Sequence, residues 1–190
     1  MGPADPAAAS QAAGQALGDA PSRPLQRIDQ DLFDRVASEA RSLPRLRRNH
    51  NLHQASDPVQ RFLNVMQPGT YVRPHRHWRS RPGAGFECFV VLQGAIGLLL
   101  LDGSGGVVQR ERLSAAGPLR GIELAEGVLH TLVALEPDSV VMEIKEGPYE
   151  PAADKDFLPS FPPEGSEAAR RQEQAWRDLF GARAPAAHPH

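Results

Sequence analysis

The chain has one cysteine, Cys88, in 190 residues, so no intrachain disulfide can staple it. A lone thiol fits a reducing compartment. Charge of one sign is also lacking: the formal net charge is −2 with histidines neutral. No basic field is available to draw in nucleic acid or an anionic membrane surface, and neither partner is expected. Long apolar runs are missing. The longest, Ala95–Leu101, falls far short of the ~20 residues that a bilayer demands. The opening stretch, MGPADPAAASQAAGQALGDA, lacks the basic start and leucine-type segment of a secretory signal. A cytoplasmic protein is expected, with one core at this length.

What is present divides the chain in three. Residues 1–24 are Ala, Gly, Pro, Ser and Gln without apolar periodicity, the composition of a disordered tail. Between 25 and 150 lies the expected domain. It opens with Ile28, Leu32, Phe33, Val36, Ala37, Ala40 and Leu43 on one helical face, which predicts a helix over 29–42 with Asp29 as N-cap and Pro44 as stop. Strands follow at Gln60–Gln67, Tyr71–His77, Phe86–Gln93, Ala95–Leu101, Val107–Leu113, Leu119–Leu124, Leu129–Leu135 and Ser139–Lys145, punctuated by Gly and Pro turns. Many short strands without alternating helices mean an all-β sandwich or barrel. The stretches Phe86–Leu92 and Ile96–Leu101 are apolar on both faces and read as buried on both. Residues 151–190 form a Pro-rich extension with a short helix over about 166–180 and a loose end that contains His188 and His190.

The chemistry concentrates in GTYVRPHRH, residues 69–77. Residues two apart on a strand share a face, so His75 and His77 project side by side and can meet one cation. Further ligands must come from other strands. Glu87 heads an apolar strand, where a carboxylate needs a partner, and His130 opens the apolar run LHTLVAL. Three imidazoles and a carboxylate suit one divalent ion, Fe, Mn, Ni, Co or Zn, without choosing among them. The competing reading makes His75 and His77 part of a basic stripe with Arg73, Arg76, Arg79 and Arg81.

These residues resemble the first cupin motif. Five residues separate Gly69 from His75-Arg76-His77, and six separate Glu87 from Gly94. The second motif resembles Gly127-Val128-Leu129-His130. Ala125 and Ala134 replace the family's Pro and Asn, and the spacer WRSRPGAGF is longer than usual. RRNHNLH (47–53), DPVQRFLNV (57–65), PGTYVRPHRH (68–77) and EIKEGPY (143–149) are similar to the WbuC family of cupin-fold metalloproteins, found near surface-polysaccharide genes in some bacteria. The resemblance implies a jelly-roll barrel, the cupin double-stranded β-helix, with a bound divalent metal.

Strand alternation places Tyr71 and Arg73 on the face of His75 and His77, with Arg73 able to hold a carboxylate or phosphate. The alternative for Arg73 is a surface role. Phe62, Asn64 and Met66 share a face with Gln60, so Asn64 is a candidate for a hydrogen bond to a ligand or a metal-bound imidazole. Glu143 and Lys145 also share a face. They read as a buried acid/base couple or as a surface salt bridge worth at most ~1 kcal/mol. Tyr149 ends the barrel, at the mouth or in the core. RRNHNLH, with His50 and His53, reads as a loop with a lid or packing role. The expected activity is that of an isomerase, lyase or dioxygenase on a small oxygen-rich metabolite, perhaps a sugar derivative. The alternative is a cupin that binds or senses a small molecule without turnover. A homodimer is expected by analogy with cupins.

Overall fold

The structure is a computed structural model and describes residues 25–78, 85–149 and 155–181. The expected disordered tail, most of the spacer between His77 and Glu87, and the end with His188 and His190 lie outside the described residues.

Helix α1, Gln30–Ser42, begins where Asp29 accepts a hydrogen bond from the Leu32 N–H at 3.1 Å. It ends at Leu43, which takes an extended ψ of 143° because the next residue is Pro44. Its buried stripe, Leu32, Phe33, Val36, Ala37 and Ala40, packs on Leu63, Val65 and Val140. The described strands are β1 (Arg47–Asn51), β2 (Val59–Met66), β3 (His75–Arg76), β4 (Phe86–Gln93), β5 (Ala95–Leu101), β6 (Val107–Ser114), β7 (Gly121–Ala125), β8 (His130–Ala134), β9 (Ser139–Glu146) and β10 (Asp156–Phe157).

They form two five-stranded antiparallel sheets, in the orders β1-β2-β9-β4-β7 and β10-β3-β8-β5-β6. Apart from the β5–β6 hairpin, the chain changes sheet at each step from β2 to β9. That interleaving is a jelly roll. Four strands carry inward faces that change character along their length. They run from Gln60 to Met66 on β2, from Glu87 to Val91 on β4, from His130 to Ala134 on β8 and from Lys145 to Val141 on β9. The apolar ends meet Ile96, Leu98, Leu113 and Leu124 in the barrel core.

Helix α2, Glu167–Asp178, capped by Ser166, covers the outer face of the second sheet. Its Ala169 and Trp176 pack against Tyr71, Leu99 and Val133. Gly97 is needed there: a Cβ at this position would lie 2.3 Å from the Phe180 ring.

Three expectations are corrected, and one short strand was not anticipated. RRNHNLH is not a loop: residues 47–51 form β1, paired in register with β2 from Arg47↔Met66 to Asn51↔Phe62. An all-polar strand has no apolar period to reveal it. β10 is likewise too short to signal itself. The expected strand Tyr71–His77 contracts to His75–Arg76, because Pro74 can donate no ladder hydrogen bond. β4 is deeply buried on alternate residues only, whereas β5 is buried on both faces, between the barrel core and α2.

Candidate metal centre

His75 and His130 lie directly opposite each other on β3 and β8. His77 follows two residues after His75 and returns to the same side. The three rings are buried, with centroids 4.6 to 5.9 Å apart. One nitrogen from each lies within 4.8 Å of the others. From the facing sheet Glu87 directs Oε2 to 3.0 Å from His130 Nε2 and 3.3 Å from His77 Nε2. The four expected ligand residues thus come together.

Hydrogen bonds on the far side of two rings settle their chemistry. His75 Nδ1 donates to the Arg73 carbonyl at 2.9 Å, and His130 Nδ1 donates to the Val128 carbonyl at 3.0 Å. A carbonyl only accepts, so Nδ1 holds a proton, and in the neutral ring Nε2 is then a bare acceptor. In His130 that acceptor faces a carboxylate oxygen. Two acceptors at this distance repel unless a proton or a metal cation stands between them. A divalent ion fits: its histidine ligands are oriented by just such outer hydrogen bonds, and an N/O donor set of this kind is common for first-row metals. Burial holds the His75 imidazolium well below the usual histidine range, helped by repulsion from Lys155, His130 and His77. For Glu87, burial acts to raise the pKa, but attraction and hydrogen bonding from His130 and His77, where those rings carry the proton, outweigh it and hold the carboxyl well below its usual range.

A cavity of about 140 Å³ opens over His75, Glu87 and His130. Lys145 lies between Gln60 on β2 and Glu87 on β4, and Glu143 lies between Phe62 and Phe89. The Lys145 Nζ to Glu143 Oε1 distance is 4.0 Å, and both residues are buried. This excludes the surface salt bridge. Burial, then the charge of Glu87, raise the Glu143 carboxyl to about 8 against the pull of Lys145. Asn64 lines the cavity and directs Nδ2 toward Glu143 Oε2 at 3.5 Å. Tyr149, after β9, also lines it.

Tyr71 and Arg73 do not line the cavity, which corrects the expectation for both. The Tyr71 ring stacks on Trp176 at 5.8 Å and its hydroxyl donates to the Pro162 carbonyl. Arg73 donates to the Leu158 carbonyl at 3.3 Å and lies over the Phe157 ring. The expectation assumed unbroken alternation back from His75. Pro74 interrupts it, so Val72 takes the inward place. Sequence reading missed Arg47, Asn49, Asn51 and Lys155 as lining residues. The polar alternation of RRNHN was the available signal for the first three.

The chain matches the family described as Domain of unknown function (DUF6016) over residues 28–113. No curated protein matches it. Among solved structures, KdgF from Halomonas sp. aligns at 24% identity over 52% of this chain and 77% of that one, with a TM-score of 0.40. CapF from Staphylococcus aureus, a capsular polysaccharide assembling protein, aligns at 19% identity over 58% and 29%, with a TM-score of 0.47. An oxalate decarboxylase from Bacillus subtilis aligns at 15% identity over 55% and 25%, with a TM-score of 0.42. This chain therefore spans less than a third of either of the last two proteins. Likenesses of this size carry no chemistry from those proteins to this one. No helix among the described residues is long and apolar enough to cross a membrane.

Proposed function

We propose that this protein binds one divalent metal ion through His75, His77, Glu87 and His130 and acts as a metal-dependent enzyme on a small oxygen-rich molecule. One observation carries the metal: the buried Nε2 acceptor of His130 faces the Glu87 carboxylate, beside two further imidazoles. A bound ion would supply Lewis-acid polarisation of a ligand oxygen, or dioxygen chemistry if it is iron. The rest falls to the protein. Asn64 orients the ligand. Glu143 and Lys145, a buried carboxyl and amine at 4.0 Å, hold and move the proton that an isomerase or lyase needs. The barrel walls exclude bulk water. The resemblance to the WbuC family supports a sugar-related ligand. The same proposal has the chain work in the cytoplasm as a homodimer, which light scattering would check.

Metal analysis of the purified protein beside a His75→Ala/His77→Ala variant tests the site. Near-stoichiometric metal in the wild type and little in the variant is expected. A metal-free wild type, or equal content in both, rejects the proposal. A panel of small polar metabolites, followed for turnover and oxygen uptake, then tests catalysis. Tight binding without conversion would support the second reading, a binding or sensing protein.

A further inference from the structure

The cavity over the histidines carries more positive charge than a metal centre requires. Among the described residues four cationic side chains line it, Arg45, Arg47, Lys145 and Lys155, against two carboxylates, Glu87 and Glu143. Glu87 is engaged with the histidines, and Glu143 lies beside Lys145. On the β1 side, Arg45 and Arg47 share a single carboxylate, Glu164, at 2.8 and 3.2 Å. Two guanidiniums on one carboxylate leave positive charge uncompensated in that wall. The Arg47 side chain is only 12% exposed, so its charge acts at a lower dielectric than it would in open water. An added divalent ion would make the chamber more positive still.

A second, independent feature is Asn64. It is more than nine-tenths buried, and its Oδ1 has no hydrogen-bond partner among the described residues. An acceptor buried without a donor is costly to maintain. It therefore points to a donor that arrives with the ligand. Asn49, opposite Asn64 in the β1–β2 register, and Asn51 and Gln60 extend the same amide-lined wall. The cavity volume is about 140 Å³, which is on the scale of a small ligand. A small metabolite fits that space.

We infer that this cavity binds a small hydroxylated anion, its carboxylate or phosphate set against Arg47 and Lys155 and one hydroxyl donated to Asn64 Oδ1. The inference rests on reading the cavity as the ligand chamber of the metal centre, and it names the class of molecule that enters.

The test is calorimetric titration of the full-length protein with four matched probes: D-glycerate, glycerol 3-phosphate, glycerol and propionate. One of the two hydroxylated anions should bind at least about tenfold more tightly than glycerol, which lacks the charge, and than propionate, which lacks the hydroxyls. That factor is the scale of one buried ion contact or hydrogen bond. The tighter of the two anions identifies the head group. Arg47→Gln and Lys155→Gln should each narrow the gap over glycerol, and Asn64→Leu the gap over propionate. Lys155 is exposed, so its variant keeps the test open if Arg47→Gln fails to fold.

Equal binding of all four probes, or gaps that survive all three substitutions, overturns the inference. The titrations are repeated on His75→Ala/His77→Ala. The gap over glycerol should persist there without metal. If it vanishes there while surviving Arg47→Gln and Lys155→Gln, the ion alone reads the anion and the inference fails. Metal content, measured on the same samples, judges the metal centre separately.

Discussion

The two ends of this barrel are built from the same strands and do opposite work. At one end Met66, Val91, Ile96, Leu98, Ala134 and Val141 exclude water and make the fold stable. At the other, two to four residues along β2, β4, β8 and β9, sit Asn64, Glu87, His130, Glu143 and Lys145, buried but polar. Burying such groups costs free energy unless they are paired. The site end is therefore held in shape by the core end and by the layers outside it. The contrast teaches that stability and chemistry in this protein are separated along the barrel axis. They are not divided between its two sheets.

Substitutions at the two ends should therefore behave differently. Leu98→Ala removes a fully buried side chain at the core end and should cost about 2–5 kcal/mol in denaturant unfolding. Asn64→Leu at the site end removes an amide whose oxygen has no partner among the described residues. It should cost no more than about 1 kcal/mol, because the oxygen has no bond to lose and the amide nitrogen gives up only a long 3.5 Å contact with Glu143. A loss as large as that of Leu98→Ala would break the comparison.

A smaller effect is expected outside the barrel. Buried Glu173 on α2 accepts from the Gly69 N–H at 3.1 Å and from Arg177 Nε at 3.0 Å. Its neighbours Trp176 and Tyr71 stack, and β10 pairs with β3. The C-terminal segment thus clamps the stretch that carries His75 and His77. Glu173→Ala should cost about 1.5–3 kcal/mol, the range for a hydrogen bond to a charged group. It should also weaken metal retention against a chelator, which Asn64→Leu should not.

Asp29→Ala removes the N-cap of α1 and should cost about 1 kcal/mol with no change in metal retention. The smallest effect belongs to the exposed turn after β5. Asp102 accepts from the Ser104 hydroxyl and from backbone N–H groups of Ser104 and Gly106. The Ser104 hydroxyl first, then the backbone of Gly106, hold its pKa below the ordinary 3.8. A depressed carboxyl contributes stability that is complete above its unfolded value and fades as pH falls through the folded one. Asp102→Asn should remove this part of the acid dependence, read by urea unfolding between pH 5 and 2.

Much of the barrel was legible in the chain because its long strands are apolar. β4 and β5 match their expected bounds, and α1 and α2 lie within a residue or two of theirs. β1 was hidden because Arg47, Asn49 and Asn51 look like surface until a cavity appears beneath them. Tyr71 and Arg73 were misplaced because alternation holds only along a regular ladder, and Pro74 breaks this one. The Glu143–Lys145 pair had two readings of equal form. Only the β2 and β4 strands on either side of β9 show that it is enclosed.

Local sequence determined the longer apolar strands, where α1 starts and stops, and which histidines share a face, since these depend on period, caps and prolines within a few residues. Tertiary structure decided that His75 meets His130, that Glu87 reaches them from the other sheet, and that an all-polar strand walls the cavity. The reason is that burial and electrostatic environment belong to no residue alone. They arise when segments far apart in the chain are brought to within hydrogen-bonding distance and water is excluded between them.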